Sequence, residues 1–462
     1  MVDGLSSLCS NYVMTYQEAK SYLDSLINFE LRLQQTHQNN FGLEGIKRLL
    51  NCLGDPQHKL KFIHVAGTKG KGSTCLFIAS ILRKAGYRVG LYTSPHFYEP
   101  TERVRIFNPD QKTKDVFEGQ ISRETFARLV GQLKPTIEKL ASKENKSLTY
   151  FEVLTALAIL YFVQQRVDCV VWETGMGGRL DATNVVDALI SVITPIGMDH
   201  TKQLGTTILK IAFEKAAIIK GREKAAVIAL QNSQALKVIA RQCRKLSVPQ
   251  HVAGKDFSMS GVTQGSSATQ FTVEGLKGTY KRLTTRLLGQ HQSANAAVAI
   301  AVVELLGEHG FPVRLNDAKE GIKSAIWPGR CEIVQKNPIV LLDCAHNCDS
   351  AKTLAETLRV IFKKKNFIFM IGVSSDKDIA SICRIWDRLA RQVILTRARH
   401  ARAHTFTDRD RKIFKNPKKV HVTKNAKDAL GRARSLMNKD SVLVVTGSIF
   451  LVAEARKELC TR

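Results

Sequence analysis

The residues Gly67-Thr68-Lys69-Gly70-Lys71-Gly72-Ser73-Thr74 stand between a short apolar run and a segment with helical spacing. Glycines let backbone N–H groups close around phosphate oxygens, and a helix N-terminus adds positive potential. Lys71 can reach the terminal phosphates of a nucleoside triphosphate, and a hydroxyl after it can bind Mg²⁺. The strict G-x-x-x-x-G-K-[ST] spacing fails. Val65 stands where the first glycine would be, and Gly72 directly follows the lysine. A generic turn seldom places these residues together after a strand, so the segment reads as a phosphate-binding loop.

Further chemistry-bearing residues follow apolar runs. Glu173 ends one and precedes Gly175-Met176-Gly177-Gly178. Ligands of open α/β sheets lie at the carboxyl ends of strands. A carboxylate there is placed for Mg²⁺, or else caps the turn. His200 follows another apolar strand and reads as a metal ligand or a structural histidine. Lys215 lies on a helix, where a lysine is usually solvated. Asn295 sits on a later helix and Arg330 in a linker. Asp343 and His346 follow the run 339–342. Asp343 could equally serve a strand-end turn. Ser448, at a strand-to-helix turn, is a substrate contact or a helix N-cap.

Alternating strands and helices must hold these residues. The spacing predicts two helices over 15–53, a strand at 61–67, a helix from 73 and a strand at 88–94. It then predicts a helix at 151–165 and strands at 167–173, 188–194 and 225–230. Such alternation implies a mostly parallel sheet covered on both faces. Between 251 and 288 the segments are short, polar and turn-rich, as in antiparallel strands. After Trp327-Pro328-Gly329-Arg330 a second alternating series begins. The expected architecture is α/β: residues 1–327 form a phosphate-loop domain with a small antiparallel subregion. Residues 328–462 form a smaller Rossmann-like domain.

The 462 residues suit two or three domains, and 44% hydrophobic residues are ordinary for a globular chain. The net charge of +28 is not ordinary and points to anionic partners. Residues 391–437 carry fourteen Lys/Arg against three Asp, with few aromatics for base stacking. That run reads as a solvated basic face or a polyanion-facing surface. Ten scattered cysteines without CxxC spacing exclude a zinc ribbon and read as reduced core thiols. No signal peptide, transit peptide or membrane span is expected, so a cytoplasmic protein is.

The segment HVAGTKGKGST (64–74) resembles the phosphate loop of the Mur ligase superfamily, in its branch of folylpolyglutamate synthases and dihydrofolate synthases. The resemblance continues through TSPHFYEPTERVRI (93–106), FEVLTALA (151–158), ETGMGGRLDATNVV (173–186) and the run 198–221. It goes on through GQHQSANAAVA (289–299), WPGRCEIV (327–334), LDCAHN (342–347), GVSSDKD (372–378) and VTGSIFLVAEAR (445–456). The departures are Lys69 for Asn, Phe97 for Leu, Ala217 for Gly and Cys344 for Gly; none removes a charged or metal-binding position.

The resemblance implies ATP-dependent addition of L-glutamate to dihydropteroate or folate through an acyl phosphate. It looks more like the bacterial bifunctional type than a single-activity synthase. ATP would lie on Gly67–Thr74, with Asn295 on adenine, Arg330 on the γ-phosphate and Asp343 on the ribose. Mg²⁺ would be held by Ser73, Glu173 and His200. Lys215 would be carbamylated (N-carboxylated) and hold a second Mg²⁺, or else make a plain salt bridge. Ser94 and His96 would belong to the folate-site loop, His346 would line the glutamate or nucleotide site as a catalytic residue, and Ser448 would meet the incoming glutamate. The expected state is a monomer without nucleic-acid or membrane partners. The rival reading is a basic nucleic-acid-binding NTPase.

Overall fold

The computed structural model describes residues 14–28, 42–109, 115–144 and 147–460. The chain divides into two compact units. One is built from residues up to Ser260 with Val273–Lys281 and Ala294–Ser324. The other takes Gly261–Thr272, Arg282–Ser293 and the chain from Ala325.

The first unit is organised by seven strands: β1 (Phe62–Ala66), β2 (Val89–Tyr92), β3 (Val104–Phe107), β4 (Cys169–Glu173), β5 (Ala188–Ile193), β6 (Ala225–Ile228) and β7 (Gln250–Val252). Their order is β3-β2-β4-β1-β5-β6-β7. All neighbours are parallel except β2 and β3, which run antiparallel. β1 lies in the middle, and all five of its residues are buried. A central strand covered on both faces cannot alternate, which is why its sequence reads as one apolar run.

Register sets the site. Val65 pairs with Glu173 of β4, Ala66 with Ile193 of β5, and Tyr92 of β2 with Trp172 of β4. The carboxyl ends of β2, β4, β1 and β5 are therefore side by side. Helix Lys71–Lys84 follows β1 and is buried from Ser73 through Arg83. Gly321 on helix Leu315–Ser324 permits close packing there, because an added Cβ would lie 2.5 Å from the Ile81 Cα. Helix Tyr150–Gln164 starts with a capping box between Thr149 and Glu152. Beneath the sheet Trp172 stacks on Tyr92 with centroids 4.4 Å apart.

Three further strands, β8 (Ser258–Gln264), β9 (Thr269–Glu274) and β10 (Thr279–Thr285), form a separate sheet in the order β10-β9-β8. The second unit holds β11 (Glu332–Lys336), β12 (Ile339–Leu342), β13 (Asn366–Ile371), β14 (Ala390–Leu395), β15 (Val420–Val422) and β16 (Ser441–Thr446). Their order is β11-β12-β16-β13-β14-β15, parallel except for the β11–β12 pair. The core of this sheet includes Phe369 stacked on Trp386 at 5.9 Å.

The α/β reading holds, with differences. The two N-terminal helices run over Tyr16–Ser25 and Glu44–Cys52, and part of the expected stretch lies outside the described residues. Helix Arg123–Glu144 escaped the periodicity because Pro135 sits inside it. Strand β3 overlaps the segment 93–106, whose start at Ser94 and His96 resembles a folate-site loop, and it is not among the strands that the spacing predicts. Cys52 and Cys460 are exposed, unlike the core thiols Cys75, Cys169, Cys243, Cys331, Cys344 and Cys383. Among the described residues no helix is long and apolar enough to cross a membrane.

His64 in β1 is fully buried, and its Nε2 lies 3.1 Å from Thr183 Oγ1. Burial first, then the Lys220 charge, lower its pKa from 6.5 to about 3. Between those values the unfolded chain binds the proton and the folded chain does not, so stability falls as pH drops. The loss should reach about 2–3 kcal/mol near pH 4.5. His64→Gln keeps a donor but cannot titrate. Denaturant unfolding should show that the acid sensitivity of the native chain exceeds that of the variant by about this amount.

Candidate active site

The loop after β1 takes a shape that only glycine allows at two positions. Gly67 has φ +153, and a Cβ there would lie 1.8 Å from Thr194 Oγ1. Gly70 has φ +78, and a Cβ would lie 2.4 Å from Asn295 Oδ1. Asn295, 6% exposed, thus packs directly on the loop. The N–H groups of Thr68 and Lys69 both donate to the Pro195 carbonyl, at 3.0 and 3.2 Å. The Thr68 hydroxyl donates to the Gly197 carbonyl and accepts the Gly197 N–H.

The loop therefore spends its first amides on the neighbouring strand end. The next amides open helix Lys71–Lys84, whose N-cap Gly70 supplies no side-chain cap. An N-terminus without a cap is a ready anion site. Ser73 and Thr74 are buried just inside it, and Thr74 Oγ1 has no hydrogen-bond partner within the protein.

Glu173 faces this helix start from β4. Its Oε1 is 3.9 Å from Lys71 Nζ, and its Oε2 accepts the Ser94 N–H at 3.1 Å. The structure so brings together Lys71, Glu173 and Ser94 from three adjacent strand ends. His96 follows, with Nδ1 accepting from Arg103 Nε at 2.9 Å. Glu102 shapes this loop by accepting the N–H groups of Phe97, Tyr98 and Glu99 at 2.6, 2.7 and 2.9 Å.

Lys215 is not the solvated lysine that its helix position suggests. It is 4% exposed, and Nζ donates to the Gly67 carbonyl at 2.7 Å. Burial, then the nearby Lys71 charge, lower its pKa to about 7, against the opposing pull of Asp199, Asp181 and Glu214. Gly178 lets its helix come close, because a Cβ there would meet the Glu214 carbonyl at 2.7 Å. Ala217 causes no strain: its φ of −72 and ψ of 0 suit any residue.

Asp181 and Thr183 were not singled out as site residues. The buried Asp181 carboxylate accepts the Met176 N–H at 2.7 Å and the Thr183 N–H at 3.1 Å, fixing the turn after Glu173. Their place within 173–186, right behind a strand-end carboxylate, was the available signal. His200 is exposed with φ +48, and its N–H donates to Asp199 Oδ1 at 2.9 Å. Among the described residues no three His, Cys, Asp or Glu side chains form a metal cluster. Any ion here must draw on other donors as well.

In the second unit the predicted residues gather at strand ends. Asp343, after β12, accepts Cys331 N–H on Oδ2 and Ala345 N–H on Oδ1, both at 2.9 Å. Arg330 Nη1 lies 3.3 Å from the Gly329 carbonyl. His346 Nδ1 is 2.9 Å from the Cys344 carbonyl. A carbonyl only accepts, so Nδ1 carries the proton and a neutral ring keeps its lone pair on Nε2. Ser448 accepts the Leu451 N–H at 3.2 Å as the N-cap of helix Ile449–Cys460. The turn-capping alternatives for Asp343 and Ser448 are therefore both realised by their hydrogen bonds.

The chain matches the Mur ligase middle domain over residues 65–303 and the Mur ligase glutamate ligase domain over 329–449. It is 34% identical over 450 residues to a dihydrofolate synthase/folylpolyglutamate synthase of Bacillus subtilis, covering 96% of this chain and 99% of the relative. Its fold superposes on the folylpolyglutamate synthase of Mycobacterium tuberculosis complexed with ADP, with TM-score 0.85 and 28% identity. That match covers 96% of this chain and 98% of the other. The folylpolyglutamate synthase of Thermotoga maritima superposes with TM-score 0.81 and 35% identity, covering 96% and 97%.

The Lys71 side chain stands at the helix start, where its ammonium pairs with Glu173 at 3.9 Å. Lys71→Ala should leave the melting temperature nearly native while lowering kcat/KM by about 10²–10³-fold or more. Steady-state ATP turnover checks this, and a near-native rate would remove Lys71 from the reaction.

Proposed function

We propose the following reaction course, since the chain belongs to the Mur ligase family, in its branch of folylpolyglutamate synthases and dihydrofolate synthases. The protein is an ATP-dependent carbon–nitrogen ligase that adds L-glutamate to dihydropteroate, to the γ-carboxylate of a folate, or to both. The observation that carries the course is the uncapped helix start at Gly70, with Lys71 set beside Glu173.

ATP lies with its phosphates on Gly67–Thr74. Asn295 meets the adenine, Asp343 the ribose and Arg330 the γ-phosphate. The donor set suits Mg²⁺, which prefers hard oxygen ligands. Ser73 and Glu173 offer such oxygens, and the Thr74 hydroxyl, next in the chain to Ser73, is buried with no hydrogen-bond partner within the protein. His200 is the third ligand by resemblance. Bound there, Mg²⁺ would neutralise triphosphate charge.

A carboxylate oxygen of the acceptor, held by Ser94 and His96, attacks the γ-phosphorus. ADP leaves, and the acceptor becomes an acyl phosphate. Lys71 and Arg330 offset the charge on the transferred group. The amine of L-glutamate then attacks the acyl carbon, and inorganic phosphate leaves. His346, whose Nδ1–H donates to the Cys344 carbonyl, is the residue we assign to take the proton that the amine must lose. Ser448 meets the incoming glutamate.

Lys215 is the residue we assign to carbamylation. A neutral amine adds CO₂ and releases a proton, and burial has brought this amine to about 7. Above that pH the amine is free to react, and below it the ammonium cannot. Carbamate occupancy should fall as pH drops through about 7, read by ¹³CO₂ labelling. Lys215→Arg keeps the charge but cannot carry a carbamate, so it should be nearly inactive. Lys215→Ala should fail too, with partial rescue by acetate or formate. An active Lys215→Arg enzyme would leave the lysine as a plain pin on the Gly67 carbonyl.

ATP consumption should require L-glutamate and a pterin carboxylate together. Purified protein assayed with dihydropteroate and with tetrahydrofolate separates the single-activity readings from the bifunctional one. Phosphate release without either substrate, stimulated by DNA or RNA, would favour the rival nucleic-acid-binding NTPase.

A further inference from the structure

The carboxyl end of β14 collects polar groups that nothing in the protein satisfies. Thr396 directly follows that strand, is 0% exposed, and its Oγ1 has no hydrogen-bond partner. Its backbone is fixed, with the N–H donating to the Ile371 carbonyl at 2.9 Å. Four residues on, His400 Nδ1 accepts the Arg402 N–H at 3.2 Å. The accepting nitrogen carries no proton, so the neutral ring bears its proton on Nε2. Burial, then the Arg402 charge, lower the pKa of this imidazole and favour the neutral form. That Nε2–H is buried without a partner, and so is Arg402 Nε.

The loop carrying these groups is held on all sides. The His400 ring stacks on Phe450, with centroids 3.5 Å apart and planes at 10°. The Arg402 carbonyl accepts the Ser375 N–H at 2.8 Å, and the His404 N–H donates to the Val373 carbonyl at 2.9 Å. Gly372 allows the contact beneath, because a Cβ there would lie 3.1 Å from the Thr396 carbonyl. These ties hold the backbone and one ring, whereas the Arg402 side chain is 25% exposed and open to an incoming group, and unsatisfied donors are costly. A ligand that accepts hydrogen bonds would satisfy them.

We propose that Thr396, His400 and Arg402 form a subsite for a carboxylate of a glutamyl unit. The inference rests on the ligase reading above. A planar guanidinium matches a planar two-oxygen acceptor. Asp376 Oδ1 lies 4.0 Å from Arg402 Nη1 and offsets part of its charge, which suits a monoanion better than a phosphate. Phe450 lies two residues beyond Ser448, so the subsite adjoins a residue assigned to glutamate. The carboxylate comes either from incoming L-glutamate or from a glutamate already on the acceptor.

Three variants test this on the full chain. Thr396→Val conserves volume and deletes an unsatisfied hydroxyl. A merely structural threonine would give an equal or higher melting temperature and unchanged kinetics. The subsite instead requires KM for the glutamyl substrate to rise, by about 10-fold, with the fold intact. Arg402→Lys should also raise it about 10-fold and Arg402→Ala about 100-fold, since the fork and then the charge are lost. KM for ATP should stay native. If KM for L-glutamate rises whatever the acceptor, the subsite holds the incoming amino acid. If it stays flat while KM rises for diglutamylated folate and not for dihydropteroate, the subsite holds the acceptor tail. Native KM values for both substrates in folded Thr396→Val and Arg402→Lys would overturn the proposal. Failure of the unmodified protein to ligate at all would instead overturn the ligase reading.

Discussion

One buried hydrogen bond holds the carboxyl end of the first sheet together: Lys215 Nζ on the Gly67 carbonyl, at 2.7 Å. It ties helix Ile208–Ala216 to the turn that opens the phosphate loop. The contact needs two missing side chains. Without a Cβ at Gly178 the helix can approach the turn after Glu173, and without one at Gly67 the loop can lie against Thr194. A buried lysine in this position is charged only at a cost, so the same packing that fixes the loop also lowers the pKa of the amine to about 7.

The rest of the chain shows how an anion cradle is normally filled. Glu102 accepts three consecutive backbone N–H groups over 97–99. Glu223 accepts those of Lys220, Gly221 and Arg222, and Glu304 those of Leu276 and Lys277. Several helices begin on a side-chain cap, from Thr15, Thr149, Thr207, Asn232, Asn347 or Asn425. These internal carboxylates and caps do for the fold what phosphate oxygens do for a nucleotide loop. At Gly70 the chain supplies neither.

Much of this was legible in residue order. A glycine-rich turn between a strand and a helix, and carboxylates at strand ends, located both strand-end clusters before any coordinates. Spacing alone does not give what depends on distant packing. Lys215 looks solvated on its own helix, and only the approach of Gly67 and Gly178 buries it. Helix Arg123–Glu144 hid behind Pro135, which local rules read as a break. His64 stands in an apolar strand, and Thr183 becomes its partner only through the β1–β4 pairing that sets their elements side by side. The run 391–437 reads as a basic surface, solvated or polyanion-facing, and most of its Lys and Arg side chains are exposed. Thr396 within it is buried because β14 delivers it to the strand ends.

Burial also sharpens the charge. Among the described residues seven acids are buried (Glu102, Glu173, Asp181, Glu223, Glu304, Asp317 and Asp387), against four bases, Arg83, Arg103, Arg105 and Lys215. The acids are spent on internal amides and ion pairs, so the excess of 69 Lys and Arg over 41 Asp and Glu is expressed even more strongly at the surface. Such a field draws anions of every kind and cannot by itself select among them. Selection must come from places where hydrogen-bond donors are desolvated and aimed, because there the wrong ligand leaves a buried donor unpaired. In the ligase reading proposed above, the uncapped start of helix Lys71–Lys84 is such a place. The exposed lysines of the basic face, each free to turn toward water, are not, and they contribute attraction without discrimination.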